Sequence, residues 1–327
     1  MYRGVLDEDI HPRELLLEVV GDRIELDVGL DADEDSTAER LAGADVAFVT
    51  SRIPITRAVI EATDLRIVAK IGTGIDNVDL AAAREHGVAV THTPGINALS
   101  VAELGLTLLL ATRRHVVASH RALEAGRWRD SVPLGTQLSG TTVGLVGLGN
   151  VGRRLASLLR GFDVEALAHD PYVDRIEGQP VHAELVDLET VLSRSDSVVV
   201  TAELTDETRG MIDGEALARM ADDAVLVNVS RGPIVDPDAL VDALLAGELR
   251  GAGMDVHATE PLPTDSPLHD FENVVLTPHV GGSTEIARAE NARTLGVNTL
   301  ALLDGDPVPE RYVAVPPPKN DSREARD

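Results

Sequence analysis

Short apolar runs alternate along this chain with stretches in which apolar residues recur every three or four positions. In the first part the runs are RIELDVGL, DVAFVT, LRIVAK and GVAVTHT, which read as buried parallel strands. Between them PRELLLEVV, TAERLAG, TRAVIEAT and DLAAAREHG carry helical spacing. Strand and helix in alternation predict a parallel sheet covered on both faces. A stretch from about Ser100 to Leu123 reads as one long helix, a bridge to a second alternating series. That series runs through TTVGLVGLG, VEALAHD, DSVVVTA, AVLVNVS, GAGMDV and NVVLTPH. After His279 the pattern turns helical once more, over STEIARAENARTLGVNTLALLDG, and ends in a Pro-rich segment. The prediction is an α/β chain with two doubly wound parallel sheets. One domain comprises residues 1–99 plus 287–315, and the other, residues 100–286, is inserted into it. Residues 316–327 are expected to form a mobile tail.

The length of 327 residues suits two cores rather than one, and 43% hydrophobic residues suffice to fill both. No apolar run reaches the roughly 18 residues of a membrane span. The opening, MYRGVLDEDI, lacks the basic-then-apolar order of a secretion signal, so a cytoplasmic location is expected. With no cysteine, disulfides, thiolate metal sites and cysteine nucleophiles are excluded, and no metal is expected. Charge changes the picture more. The formal net charge is −26, and Lys70 and Lys319 are the only lysines. Such a surface repels nucleic acid. Its self-repulsion calls for screening by salt, and the Debye length falls to about 3 Å at 1 M. The composition therefore points to a salt-rich cytoplasm like that of haloarchaea.

Candidate chemistry begins with Gly147, Gly149 and Gly152, a G-x-G-x-x-G placed after the strand TVGLV and before the helix VGRRLASLLRG. The first glycine permits the tight turn, the second lets backbone approach a pyrophosphate, and the third allows close helix–strand packing. The helix start offers N–H donors to the phosphates. Asp170 ends the next strand, where a carboxylate accepts both ribose hydroxyls and repels a 2′-phosphate, which points to NAD rather than NADP. Alternatively Asp170 only starts the turn DPY, and the choice of cofactor stays open.

Three further stretches, VNVSRGPIVD, DVHATEP and TPHVGGST, each follow a strand at the carboxyl edge, where open α/β sheets bind ligands. In them Arg231 can fork onto a carboxylate. His279 brings an imidazole, the side chain that exchanges protons near neutral pH, and Glu260 can pair with it and fix its orientation. Taken singly, His279 could be a structural histidine, Glu260 a surface charge and Thr73 a turn residue.

In order, these blocks resemble the D-isomer-specific 2-hydroxyacid dehydrogenases: GLVGLGNVGRRLA, NVSRGPIVDPDALVDAL, GAGMDVHATEPLP and NVVLTPHVGGST, with KIGTGIDNVDLAAAREHGVAV in the first domain. The similarity covers roughly residues 45 to 305. It implies a Rossmann NAD domain inserted into a flavodoxin-like substrate domain, a cleft between them, and a homodimer formed through the segment after Ser100. It also implies roles. Arg231 would bind the carboxylate and carbonyl of a small 2-oxo or 2-hydroxy acid, His279 would be the acid/base and Glu260 its partner. Gly72, Thr73 and Gly74 would cradle the substrate carboxylate, and Asn97 would contact substrate. Asn150 and Val151 would face the pyrophosphate and Asp255 the nicotinamide amide, with Ala202, Val229, Ser230 and Gly281 on the cofactor side. Hydride would pass from NADH to C2 of the oxoacid while His279 delivers the proton.

Within that family, formate oxidation is disfavoured because those enzymes carry glutamine where Glu260 lies. Phosphite oxidation uses a lysine at the place of Thr73. NAD-sensing co-repressors of this fold can retain the triad, and remain the reading of another class. Among the dehydrogenases, GTGIDNVDLAAA resembles the phosphoglycerate branch most, with Lys70 and Arg52 at basic positions suited to a phosphate dianion. Lys70 could equally cap the end of a strand. Asp130, in RWRDSVPLG, departs from that branch, and so does the lack of its regulatory domain, which implies no feedback inhibition by serine. The resemblance favours 3-phosphoglycerate/3-phosphohydroxypyruvate over glyoxylate or hydroxypyruvate.

Overall fold

The computed structural model describes residues 1–173 and 182–318; most of the expected tail, 319–327, lies outside the described residues. Two compact units form, one from residues 1–97 together with the chain from Ser283, the other from Ala98–Gly282. In the first, β1 (Tyr2–Leu6), α1 (Arg13–Val20), β2 (Ile24–Val28), α2 (Glu34–Leu41), β3 (Val46–Val49), α3 (Arg57–Glu61), β4 (Ile67–Lys70), α4 (Leu80–Glu85) and β5 (Ala89–Thr91) alternate. The second unit opens with α5 (Ala98–Arg113) and α6 (Val116–Glu124). It continues through β6 (Thr142–Val146), α7 (Asn150–Leu159), β7 (Glu165–His169), β8 (Glu184–Leu185), α8 (Leu188–Arg194), β9 (Ser197–Val200) and α9 (Gly214–Leu217). It ends with β10 (Val225–Asn228), α10 (Pro237–Ala246), β11 (Gly251–Met254) and β12 (Val274–Leu276), after which α11 (Glu285–Asp304) and β13 (Val313–Val315) complete the first unit.

The first sheet has the order β13-β5-β4-β3-β1-β2, parallel except for β13 on β5. From β2 to β5 this is the flavodoxin-like order. Alternate strand residues face opposite cores: Val5, Ala47, Val49, Val68 and Val90 pack on one side, and Leu6, Val46, Phe48, Ile67 and Ala89 on the other, against α11 residues Ala292 and Leu295. The second sheet is parallel throughout, β12-β11-β10-β9-β6-β7-β8. From β8 to β11 it has the strand order of a dinucleotide-binding Rossmann sheet, with β12 added at the far edge. The order reverses between β6 and β9, so the glycine turn after β6 stands at the switch point where such sheets bind ligands.

One element differs from its expectation. The single helix expected from Ser100 to Leu123 is two, because His115 takes a left-handed φ of +51° between them. The break has a long-range cause. The chain returns along α5 at residues 135–137, where Thr136 N–H donates to the Arg113 carbonyl at 2.9 Å. Arg113 Nη2 donates in turn to the Gln137 carbonyl at 3.0 Å. The crossing between units lies at 97/98 and 282/283, against the expected 99/100 and 286/287. Val101 and Ala102, in the first turns of α5, already belong to the core of the second unit.

Candidate active site

The glycine turn is built by close approach. Gly147 has φ +99°, and a Cβ there would lie 2.4 Å from the backbone nitrogen of Ala202. A Cβ on Gly152 would lie 2.3 Å from the Gly147 carbonyl oxygen. At Gly149 no atom of the described residues beyond its chain neighbours lies within 4 Å of that point, which leaves the turn open on one side among them. There α7 starts at the exposed Asn150 without a side-chain cap, whereas Asp187, Asp213 and Asp236 cap α8, α9 and α10. An open, glycine-flanked helix start fits a pyrophosphate. Asp170 braces the turn: Oδ2 accepts the Leu148 N–H at 2.8 Å and Oδ1 the Tyr172 N–H at 3.0 Å. A carboxylate has about four acceptor sites, which leaves capacity for ribose hydroxyls. Ser230 Oγ donates to the Ala202 carbonyl, and Val229 is buried against Gly105 of α5. Val151, half-buried, follows Asn150 in the first turn of α7. The cofactor-side residues therefore gather at the carboxyl ends of β6, β7, β9 and β10.

The candidate catalytic residues follow β10, β11 and β12. After β10, buried Asn228 shapes the loop of Arg231: its amide donates to the Arg231 carbonyl at 2.9 Å and its carbonyl accepts the Ser230 N–H at 3.0 Å. Next comes Gly232, where a Cβ would lie 2.0 Å from the His257 carbonyl oxygen, so the loops after β10 and β11 touch. After β11, Glu260 Oε2 accepts a hydrogen bond from Nδ1 of His279 at 2.8 Å. Both side chains stay partly exposed, 37% and 31%. Burial pushes the Glu260 carboxyl up, but the hydrogen bond and charge of His279 and the His257 N–H outweigh it and hold it below the usual carboxylate value. Glu260 is thus ionised at neutral pH and fixes the face that His279 presents.

His279 itself has φ +52°, a left-handed conformation that a side chain other than glycine adopts at a cost of roughly 1–3 kcal/mol. Asp255, buried at the end of β11, holds it there. The Asp255 carbonyl accepts the His279 N–H at 2.8 Å. Its carboxylate accepts Thr277 Oγ1 at 2.6 Å and the Val280 and Gly281 N–H groups, each at 2.8 Å. A Cβ on Gly281 would lie 2.9 Å from Asp255 Oδ2, so glycine permits that approach. Asp255 and Gly281, expected beside the cofactor, thus also hold the His279 loop.

In the first unit, the Gly72-Thr73-Gly74 turn follows β4 and is laced to residues 92–95. Thr93 Oγ1 accepts the Gly72 N–H at 2.6 Å, His92 Nδ1 meets the Thr73 carbonyl at 2.9 Å, and the Gly95 N–H reaches Thr73 Oγ1 at 3.3 Å. Lys70 ends β4, is 3% exposed and directs Nζ toward Gly72. Asn97, half-buried, is the last residue of this part of the unit. Arg52 is engaged elsewhere. It pairs with the fully buried Asp7, with Asp9 at 2.9 Å and with Glu8 at 3.5 Å. Three carboxylates offset its charge. The sequence reading passed over Asn228, Gly232, His257 and Thr277. Asn228 had a signal in a polar residue closing the apolar run AVLVN, whereas the other three act through tertiary contacts.

Comparison with known proteins agrees with this geometry. Residues 106–281 match the family model "D-isomer specific 2-hydroxyacid dehydrogenase, NAD binding domain". The chain is 39% identical over 292 residues to D-3-phosphoglycerate dehydrogenase of Mycobacterium tuberculosis, covering 89% of this chain and 55% of that protein. It therefore spans little more than half the length of that relative. It is 37% identical over 269 residues to hydroxypyruvate reductase of Thermotoga maritima, covering 81% of this chain and 85% of the relative. A crystal structure of a Thermus thermophilus protein superposes with a TM-score of 0.87 at 34% identity, over 96% of this chain and 100% of that one. The chain belongs to the D-isomer specific 2-hydroxyacid dehydrogenase family, and its second unit is the NAD-binding domain of that family. Among the described residues, no helix is long and apolar enough to cross a membrane.

Proposed function

We propose that the protein is an NAD-dependent D-2-hydroxyacid dehydrogenase, reducing a small 2-oxoacid in the reverse direction, in a salt-rich cytoplasm. The Glu260–His279 pair carries the reading, with the imidazole in a left-handed loop clamped to Asp255 beside the loop of Arg231. Arg231 anchors the substrate carboxylate and steadies charge growing on the carbonyl oxygen. His279, protonated and held by Glu260, gives its Nε2 proton to that oxygen; neutral, it takes the proton back in the oxidative direction. The reduced nicotinamide, when bound, supplies the hydride to C2. Gly147–Gly152 hold the pyrophosphate and Asp170 the ribose, with Ala202, Val229 and Ser230 alongside. Thr73, Gly74 and Asn97 receive the carboxylate end of the substrate.

Phosphohydroxypyruvate is proposed as the oxoacid because GTGIDNVDLAAA resembles the phosphoglycerate branch, in which Lys70 stands at a basic position, and because relatives named D-3-phosphoglycerate dehydrogenase reach 39% identity. A panel of 3-phosphohydroxypyruvate, hydroxypyruvate and glyoxylate, assayed with NADH at molar salt, tests both levels. Lys70→Met should lower kcat/KM on the phosphorylated acid by about 10–100-fold, the worth of a charged hydrogen bond, with little loss on glyoxylate. Equal losses would remove the phosphate and leave the class; no turnover on any member would remove the class. Asp170→Ala should raise the affinity for NADPH relative to NADH by at least about tenfold, as repulsion of the 2′-phosphate is lost. A wild-type preference for NADPH would contradict the role given to Asp170.

A homodimer is part of the proposal. Val116 and Leu123 of α6, Trp128 and Leu134 expose apolar side chains in one stretch of chain, Leu134 at 92%. Such a concentration marks an interaction surface, and a second copy of the chain is its proposed partner. A monomeric mass by light scattering at molar salt would contradict it.

A further inference from the structure

The loops of Arg231, Glu260 and His279 meet at one residue, His257. Its backbone N–H donates to Glu260 Oε1 at 3.0 Å. Its carbonyl oxygen is the atom that a Cβ on Gly232, next to Arg231, would approach to 2.0 Å. Its ring Nε2 lies 3.0 Å from the carbonyl oxygen of Thr277, two residues before His279. The residue is 8% exposed, and Nδ1 has no hydrogen-bond partner among the described residues. A carbonyl oxygen only accepts, so Nε2 carries a hydrogen. The ring therefore serves as a donor pointed one way.

We propose that His257 is a positioning residue, whose Nε2–H bond to Thr277 fixes the His279 loop at the place where the imidazole meets Glu260. The proposal rests on the roles given above to Glu260 and His279. Thr277 is tied at three points: its N–H to the Met254 carbonyl at 2.9 Å, its hydroxyl to Asp255 at 2.6 Å, and its carbonyl to His257. The first two fix it to β11, while the third fixes it to the loop that carries Glu260. Without the third, the Asp255 contacts still hold the His279 loop against β11, but that loop can shift relative to the one that carries Glu260, and the imidazole leaves its partner. An apolar ring of similar size would fill the space of His257 without supplying the donor. A misplacement of about 1 Å in such a constellation costs on the order of 100-fold in rate.

The test compares His257→Leu, which deletes the donor, with His257→Gln, whose side-chain amide N–H reaches about as far as Nε2, and with the shorter His257→Asn. Three quantities are read: kcat and KM with a 2-oxoacid and NADH, the Kd for NADH, and the proton resonance of His279 Nδ1 shared with Glu260. That resonance is observed in protein labelled with 15N-histidine and assigned with His279→Ala. The Leu and Asn variants should lose about 10–100-fold in kcat, with KM and NADH affinity within about threefold, and lose the Nδ1 resonance. Gln should restore both to within about threefold. Wild-type kcat and an intact resonance in the Leu variant would overturn the proposal. If Leu does not fold, equal behaviour of Gln and Asn overturns it. If the wild type turns over no 2-oxoacid, yet the resonance is kept in Gln and lost in Asn, the positioning stands and the functional reading falls.

Discussion

Replacing Arg231 by alanine should lower kcat/KM for 2-oxoacid reduction by about a thousandfold while the Kd for NADH moves by less than about threefold, the scale on which loss of a preorganised charge contact acts. The separation follows from where Arg231 stands. Asn228 holds the Arg231 carbonyl and the Ser230 N–H, and Ser230 Oγ donates to the Ala202 carbonyl. Truncating the Arg231 side chain leaves those contacts in place, so cofactor affinity and melting temperature should hold. Arg231→Lys keeps the charge but loses the planar fork, and should recover only part of the rate. His279→Ala should cost about 100–10,000-fold, the usual range for a lost general acid. Its loop should stay folded, because Asp255 grips backbone groups of residues 279–281 rather than the imidazole. Near-normal turnover in the Arg231→Ala variant would withdraw the assignment, and a matching loss of NADH binding would move Arg231 to the cofactor side.

What could be read from the sequence was local. Gly147, Gly149 and Gly152 stand out because each spacing answers a separate steric need, and the close approaches at Gly147 and Gly152 show two of those needs directly. Arg231, Glu260 and His279 stand out as candidates because each follows an apolar run at a strand end. What escaped depends on partners far along the chain. The strand at Tyr2–Leu6 was not anticipated: it contains Arg3, paired with Asp27, and Gly4, whose missing Cβ makes room for Leu26 and Ile24. Arg52, within TSRIPIT, gave no sign that Asp7 would neutralise it. The break at His115 lies inside an unbroken helical pattern and is set by residues 135–137. Nothing within DVHATEP singles out His257, whose acceptor, the Thr277 carbonyl, lies twenty positions on.

Raising KCl from about 0.1 M to about 2 M should raise the melting temperature by roughly 10 °C or more, with activity rising in parallel, as the Debye length falls from about 10 Å to about 3 Å or less. The net charge of −26 is distributed as runs as well as pairs. In Asp31-Ala32-Asp33-Glu34-Asp35 every residue is exposed and no basic side chain interrupts the acidic ones. Asp33, Glu34 and Asp35 gain something from the start of α2, where Asp33 caps the Ser36 N–H at 2.9 Å, yet they also repel one another. The ion pairs that oppose this, such as Arg57 with Glu61 and Glu85 or Arg194 with Glu165, are exposed at both ends, where solvent screening and side-chain entropy leave them little net worth. Dilute buffer therefore leaves the repulsion uncompensated, while molar salt removes it and weakens those pairs only slightly. KCl is the proper titrant, since sulfate would stabilise almost any fold by exclusion from its surface. Sucrose, which is excluded but does not screen, serves as the control. A melting temperature flat in KCl, or one that sucrose raises equally, would show that the charge has no such role.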